Sequence, residues 1–195
     1  MAYLFKHIVT QEVAYESLAY ATRAQLHEQL AQYLEGHMTG GAPGPAPLDL
    51  LAFHYGRSAN IVKQREYLRK AGDAAQAAYA NAAALDYYDR LFPLLSEPGE
   101  QIEIHLKRGQ VLQLVGDWAA AETAYRSAFE LAQQSGSARA QAQAQFALGA
   151  LYNKRGDYPL ALACYDQARA GWQALGESAE MARAVARGAA GGISA

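Results

Sequence analysis

One stretch of the chain occurs twice at an interval of forty residues, and this repeat restricts the possible folds more than any other feature. The segment HLKRGQVLQLVGDWAAAETAYRSAFE, residues 105–130, corresponds to QFALGALYNKRGDYPLALACYDQARA, residues 145–170. The matching positions are Gly109, Gly116, Trp118, Ala121, Tyr125 and Ala128 in the first copy and Gly149, Gly156, Tyr158, Ala161, Tyr165 and Ala168 in the second. A helical repeat of this length predicts an all-α solenoid, in which antiparallel helical hairpins stack on one another.

The repeated residues indicate how the two helices of each hairpin pack. The first glycine of each copy leaves a bare patch on the first helix, which lets the second helix approach closely. Gly116 and Gly156 end the first helix, because glycine tolerates the left-handed backbone of a helix stop, and Asp117 and Asp157 cap the helix that follows. On the second helix, a tyrosine between two alanines fills the gap that the small residues leave. Tyr152 is a further structural position, on the first helix of the second copy.

The same pattern extends toward the N-terminus of the chain. Asn60 is predicted to cap a long helix, and Asn81 begins the next one. Gly72 corresponds to the close-packing glycine of the repeat, while Ala84 and Tyr88 repeat the alanine–tyrosine pattern. A further hairpin is therefore predicted before the two copies.

The order of glycine, Trp or Tyr, alanine, tyrosine and alanine in these copies resembles the tetratricopeptide repeat, whose usual length is about 34 residues. The resemblance implies a right-handed superhelix whose concave side, lined by the first helices of the hairpins, holds a protein or peptide partner. Polar residues on the concave side that are not needed for packing would form a partner-binding groove. These residues are Arg69, Asp73, Gln76, Lys107, Gln110, Gln113 and Asn153. An ordinary solvated helix face remains the alternative for each of them. Family members that hold C-terminal carboxylates use a Lys-Asn clamp, which this sequence lacks, since Gln110 and Ala150 stand where an asparagine is expected.

The N-terminal part carries a second resemblance. Five segments within residues 3–95 carry it: FKHIVTQEVAYESL, RAQLHEQLAQYLE, LAFHY, YLRKAGDAA and YANAAALDYYDRL. They resemble the region that joins an AAA-like or STAND-type ATPase to a tetratricopeptide array in bacterial signalling proteins. Such proteins often carry an adenylate or guanylate cyclase domain as well. The matching residues of the first two segments are Phe5, His7, Gln11, Val13, Ala14, Tyr15, Ser17, Leu18, Arg23, Leu26, His27, Ala31 and Leu34. The resemblance implies a non-catalytic sensor or interaction part of a multidomain protein. No GxxxxGK[ST] loop is present in the sequence, so no nucleotide phosphate cradle of that kind is expected.

Three segments are predicted along the chain. Residues 1–36 form a helical connector at the end of a winged-helix-like module, with a short strand before the first helix, a helix cap at Thr22 and a helix stop at Gly36. The main helix of the connector carries an apolar stripe at helical spacing, made of Leu26, Leu30, Tyr33 and Leu34. Residues 37–47, HMTGGAPGPAP, form a linker because glycine and proline dominate and no periodicity survives. Residues 48–195 form the tetratricopeptide-like array.

Composition and charge argue against several classes of function. Hydrophobic residues make up 51% and charged residues 18% of the chain, which is typical of a globular protein, and the net charge of −2 gives no basic surface for nucleic acid. No apolar run is long enough to cross a bilayer, so no membrane association is expected. The single cysteine, Cys164, fits a buried core position and a reducing, cytoplasmic compartment.

The side chains that could carry chemistry form no known catalytic or metal-binding pattern. The histidines are scattered, without a second ligand at i+3 or i+4, so neither a metal nor a cofactor is expected, and no nucleophile with an acid–base partner can be placed. The sequence therefore predicts a protein that is not an enzyme and that binds a protein or peptide. Two alternatives stay open: a small-molecule sensor with its ligand inside the superhelix, and a self-association module.

Overall fold

In a computed structural model, the chain is described over residues 8–39, 48–177, 180, 183, 185 and 186. The helices of this part are α1 (Ile8–Glu16), α2 (Tyr20–Thr39), α3 (Leu48–Tyr55), α4 (Ile61–Ala77), α5 (Asn81–Leu91), α6 (Pro98–Val115), α7 (Trp118–Gln134), α8 (Ala138–Arg155) and α9 (Tyr158–Ala174). A short 3-10 turn, Phe92–Leu94, follows α5, and the described residues contain no strand. The prediction of an all-α fold is confirmed. The strand expected before the first helix lies outside the described residues, apart from Ile8, which begins α1.

Two compact units make up the chain, Met1–Ala74 and Ala75–Ala195, and the boundary between them falls within α4. The first unit contains α1 to α3 and most of α4, and the second contains α5 to α9. The segment boundaries expected around the linker stay a prediction, because residues 40–47 lie outside the described part.

In the first unit, one carboxylate is shared by three side chains. Glu35 of α2 accepts hydrogen bonds from Tyr55 OH at 2.5 Å and from Tyr67 OH at 2.6 Å, and Lys63 Nζ lies 2.7 Å from the same carboxylate. The two tyrosine rings stack with their centroids 5.0 Å apart. Burial alone would raise the pKa of Glu35, but the hydrogen bonds from these partners lower it to about 2. The network fastens α2 to both α3 and α4.

The ends of α2 differ from the sequence prediction. The helix begins at Tyr20, so Thr22 lies inside it, and the predicted cap is wrong. The helix also continues past Gly36 for three residues, so the predicted stop is wrong, because glycine permits a left-handed stop but does not impose one. The cap predicted at Asn60 is confirmed, since its Oδ1 accepts a hydrogen bond from the Lys63 N–H at 3.1 Å.

The buried face of α2 is made of small residues. Ala24 and Ala31 are buried, whereas Leu26, Leu30 and Tyr33 of the predicted apolar stripe are exposed. The partners of α2 in the first unit come close enough to contact alanine, and they leave the larger side chains outside. The apolar stripe therefore does not mark the packed side of this helix.

Four helices of the second unit, α6 to α9, are of nearly equal length and end at glycine turns. Gly116, Gly136, Gly156 and Gly176 follow α6, α7, α8 and α9 at intervals of twenty residues, with φ between 68° and 83°. In each turn the N–H that follows the glycine bonds back to a carbonyl of the last helical turn at 2.9–3.0 Å. This left-handed conformation costs glycine little and other residues more. The forty-residue repeat is thus two helix-and-turn modules of twenty residues each.

The aspartates that follow two of these turns behave differently. Asp117 Oδ1 accepts a hydrogen bond from the Ala120 N–H at 3.1 Å, so the predicted cap is confirmed. Asp157 makes no capping hydrogen bond with its side chain, so the predicted cap there is wrong. Pro159 stands in the first turn, where its missing N–H removes one capping target, and the Asp157 carboxylate lies 3.6 Å from Arg155 Nη2.

The two helices of each repeat interlock through a tyrosine and a glycine. Tyr125 and Tyr165 are 1% and 3% exposed, and their rings lie against Gly109 and Gly149. A methyl group added at Gly149 would lie 2.7 Å from two ring carbons of Tyr165, which is inside van der Waals contact. The other buried repeat positions are Gly72, Ala84, Tyr88, Ala121, Ala128, Tyr152, Ala161 and Ala168. Trp118, at the start of α7, is 36% exposed.

Candidate functional site

Two adjoining cavities lie between α6 and α8 of the second unit. Their volumes are about 540 Å³ and about 350 Å³, and they share Glu103, Leu106 and Gln143 as lining residues. The larger cavity continues to Gln113 and Trp172, and the smaller one continues in the other direction to the start of α6. We call this pair of cavities the α6–α8 groove.

The groove is lined by repeat positions that lie forty residues apart. The lining pairs are Glu103 and Gln143, Leu106 and Phe146, Lys107 and Ala147, and Gln110 and Ala150. Within each helix these positions are spaced i, i+3, i+4 and i+7, which places them on one face. Gly109 and Gly149, on the same two helices, lie against the tyrosines of the second helices, and one of these, Tyr125, also lines the larger cavity.

An aromatic wall closes one side of the larger cavity. The ring of Phe146 lies 5.4 Å from the ring of Trp172 and 5.5 Å from the ring of Tyr165, measured between centroids. Trp172 is 2% exposed although it lines the cavity, and Phe146 is half-buried. The wall offers an apolar surface on which a ligand side chain can pack.

The charged residues of the larger cavity are paired with each other. Lys107 Nζ lies 2.8 Å from Glu103 one helical turn away, and Arg183 Nη2 lies 3.0 Å from Glu180. All four residues line the cavity, so its formal charges balance. The groove is therefore not a site that selects ligands by net charge.

Three glutamines, Gln110, Gln113 and Gln143, line the larger cavity and give it hydrogen-bonding groups. Tyr125 OH donates to Gln113 Oε1 at 3.4 Å, and burial raises the pKa of Tyr125, so the phenol stays a neutral donor. Gln110 is exposed, and its Oε1 accepts from Gln76 Nε2 at 3.2 Å. Gln113 Nε2 and Trp172 Nε1 are buried donors without an acceptor among the described residues.

The structure brings only part of the predicted partner-binding set together. Three of its members line the larger cavity: Lys107, Gln110 and Gln113. Gln76 bonds to one of these, whereas Asn153 is half-buried on α8 and is not a lining residue. Arg69 and Asp73 are half-buried on α4 and belong to the first unit. A binding role for the set stays a prediction.

Sequence reasoning missed the aromatic wall. Phe146 stands forty residues after Leu106, so both hold the same position in the repeat. Trp172 continues the spacing of Ala161, Tyr165 and Ala168 along α9. Both signals are present in the sequence, but they are shared with ordinary core positions and do not by themselves distinguish a groove from a core.

Other chemistry has little support in the described residues. No group of three or more His, Cys, Asp and Glu side chains is arranged there to hold a metal ion. Cys164 is half-buried, and burial raises the pKa of its thiol, which makes it a poor nucleophile. None of the described helices combines the length and the apolar character that crossing a membrane requires.

Helical pairs, each joined by a glycine–tyrosine contact and packed against the next pair, define the second unit as an α-solenoid, a helical repeat protein. Residues 100–188 match the family model described as tetratricopeptide repeat. This part of the chain is a tetratricopeptide repeat region, and the resemblance identified from its sequence is confirmed.

Two solved structures share the fold. A Signal Transduction ATPase with Numerous Domains (STAND) protein with a tetratricopeptide repeat sensor, from Pyrococcus horikoshii, is 14% identical with a TM-score of 0.65, and the match covers 95% of this chain and 29% of that chain. BtubC from P. vanneervenii is 14% identical with a TM-score of 0.56, and the match covers 86% of this chain and 63% of that chain. This chain therefore spans less than two thirds of either protein, and identities this low show the fold alone. No curated protein matches the sequence.

Proposed function

We propose that the chain is a non-catalytic interaction module whose α6–α8 groove binds an extended segment of a partner protein. The observation that carries this proposal is the continuity of the two cavities along the paired first helices. Tetratricopeptide repeats are in general scaffolds that bind proteins or peptides, which supports the same class of function.

The dimensions of the groove favour a peptide over a compact small molecule. The lining of α6 runs from Pro98 to Gln113, and fifteen helical steps at 1.5 Å each correspond to about 22 Å. An extended peptide rises about 3.3 Å per residue, so about seven residues fill this length. A metabolite would occupy one cavity and leave the other open to water.

We further propose that the module is the sensor part of a longer signalling protein. The resemblance of residues 3–95 to the connector of bacterial ATPases of the STAND type supports this, as does the fold shared with a STAND protein that has a tetratricopeptide repeat sensor. In this proposal, a bound partner changes how the module acts on an ATPase. Sequencing the upstream reading frame tests this part, since an upstream region without a phosphate-binding loop would count against it.

A peptide-display selection with the full chain as bait tests the binding function. A random library of twelve-residue peptides should converge on a motif, and Ala150→Arg should abolish binding because the new side chain fills the larger cavity. Ala163→Arg is the matched control, since Ala163 is exposed on α9 and is not a lining residue. Circular dichroism of both variants establishes that each remains folded.

Two outcomes would overturn the binding proposal. The library could enrich no peptide, or the enriched peptides could bind Ala150→Arg as tightly as the wild type. A thermal-shift screen of a metabolite panel tests the small-molecule alternative. If that alternative holds, one compound should raise the melting temperature of the wild type but not that of Ala150→Arg. Self-association stays a prediction, and light scattering of the purified chain would test it.

A further inference from the structure

We propose that the segment bound in the α6–α8 groove is an uncharged, internal stretch of peptide whose main-chain carbonyl oxygens accept hydrogen bonds from Gln113 Nε2 and Trp172 Nε1. This inference rests on the proposed function and adds the chemical class of the ligand. Three features of the larger cavity carry it: two buried donors, balanced charges and the aromatic wall.

Both donors lack an acceptor among the described residues although both line the same cavity. Trp172 is 2% exposed, and an indole N–H can only donate. Gln113 is half-buried, and its Oε1 already accepts from Tyr125 OH, which leaves Nε2 for another partner. Because folded proteins pair nearly all of their buried donors, a ligand that supplies acceptors would complete this site.

The balanced charges indicate that these acceptors are neutral. Lys107 and Arg183 each lie within 3.0 Å of an acid that also lines the cavity. A carboxylate or phosphate entering there would meet two acids together with two bases and would gain no net attraction. A main-chain carbonyl is the neutral acceptor that an extended peptide presents at every residue.

The aromatic wall indicates what stands beside the carbonyl groups. Phe146 and Trp172 meet with their rings tilted at 61°, next to Ala147 and Leu106 in the cavity lining. Apolar ligand side chains gain by leaving water for such a surface. The ligand class is thus an extended segment with an apolar side chain near the acceptor carbonyls and no charge in the larger cavity.

Amide-to-ester scanning of a display-selected peptide tests the carbonyl contacts. An ester carbonyl is a weaker acceptor, so replacing one amide at a time should weaken binding to the full chain about five- to tenfold at one or two positions. At each sensitive position, the effect should fall below about twofold in the variant that lacks the matching donor, Gln113→Leu or Trp172→Phe, because that hydrogen bond is already gone. Gln134→Leu, on the exposed end of α7, is the matched control and should behave as the wild type.

A blocked peptide tests the internal, uncharged character of the ligand. Acetylation of the N-terminus and amidation of the C-terminus remove both end charges, and the blocked peptide should bind as tightly as the free one. Loss of binding on amidation would identify a carboxylate ligand and overturn the inference. Melting curves of the variants establish folding, and Gln113→Leu keeps the test decisive if Trp172→Phe unfolds.

The outcomes separate this inference from the proposed function. If no peptide is enriched, the proposed function fails and this inference fails with it. If a peptide binds the groove but the ester scan is flat, or every position is as sensitive in both variants as in the wild type, only this inference is overturned. An ester-sensitive position that loses its sensitivity in one of the two variants, and keeps it in the control, supports the inference.

Discussion

Gly109→Ala tests how tightly the helices of the repeat interlock. The added methyl would lie 2.6 Å from Cδ1 and 2.8 Å from Cζ of Tyr125. The ring cannot retreat, because Tyr125 is 1% exposed and packs in a buried cluster with Leu148 and Leu151. Overpacking of this kind costs about 1–3 kcal/mol, whereas alanine in a helix gains up to about 1 kcal/mol over glycine. We expect a net loss of about 1–2 kcal/mol in the free energy of unfolding.

Gly99→Ala is the matched control in the same helix. A methyl group at Gly99 meets nothing within 4 Å, so we expect a gain of up to about 1 kcal/mol from helix propensity alone. The two tryptophans of the chain, Trp118 and Trp172, both lie in the second unit, so their fluorescence in a urea titration reports on this unit. If Gly109→Ala matched or exceeded the wild-type midpoint while Gly99→Ala behaved as expected, the reasoning would be refuted.

The remaining predictions concern strain and charge. Tyr79→Gly should raise the unfolding free energy by about 0.5–1 kcal/mol in thermal melts, because Tyr79 holds a φ of 58° that glycine adopts freely; an unchanged value would contradict this. Glu35→Gln should cost about 1–2 kcal/mol at pH 7 in urea titrations followed by far-ultraviolet circular dichroism, because Lys63 loses one of its two carboxylate partners and Tyr55 and Tyr67 lose a charged acceptor. The pKa of Glu35 is lowered from 4.5 to about 2, so its contribution is present above pH 4.5 and is lost as the pH falls toward 2; a wild-type acid profile no steeper than that of Glu35→Gln would count against this. The Nδ1 atoms of His27 and His54 lie 2.8 Å apart, and burial, followed by neighbouring positive charge, lowers the pKa of both side chains. The unfolded chain therefore binds protons more readily at these positions, so acidification below pH 6.5 should destabilise the wild type more than His54→Gln.

The packing of the repeat can be predicted from the sequence because each recurring residue has one mechanical role. Glycine at position 109 or 149 leaves space, and the tyrosine sixteen residues later fills it. At Asp157 the same reasoning fails: Pro159 removes one capping N–H of α9, and the Asp157 carboxylate lies 3.6 Å from Arg155 Nη2. Rules of this kind hold where both partners lie within one hairpin.

Helix α2 could not be predicted in the same way, because its neighbours in space are distant in sequence. Glu35 meets Tyr55 and Tyr67, which are 20 and 32 positions away. Those contacts outweigh the glycine stop signal next to Glu35 and draw the small residues of α2 inward. Periodicity alone favours the larger apolar residues for the packed face, and here that choice is wrong.

The candidate groove was only half predictable. Its polar lining follows from helical spacing around Gly109, so Lys107, Gln110 and Gln113 could be named from the sequence. Phe146 and Trp172 read as core residues, and they do pack on each other, yet the same side chains also line the larger cavity. Their second role depends on where α6 and α8 separate, which spacing within one helix does not specify.

Fluorine NMR of the full chain labelled with 5-fluorotryptophan tests the central claim, that a partner peptide occupies the α6–α8 groove. Trp172 lines the larger cavity, whereas Trp118 stands at the start of α7 and is not a lining residue. A display-selected peptide should shift the Trp172 resonance in proportion to the bound fraction and leave the Trp118 resonance in place. Binding that leaves the Trp172 resonance unchanged, or that shifts only the Trp118 resonance, would contradict the account.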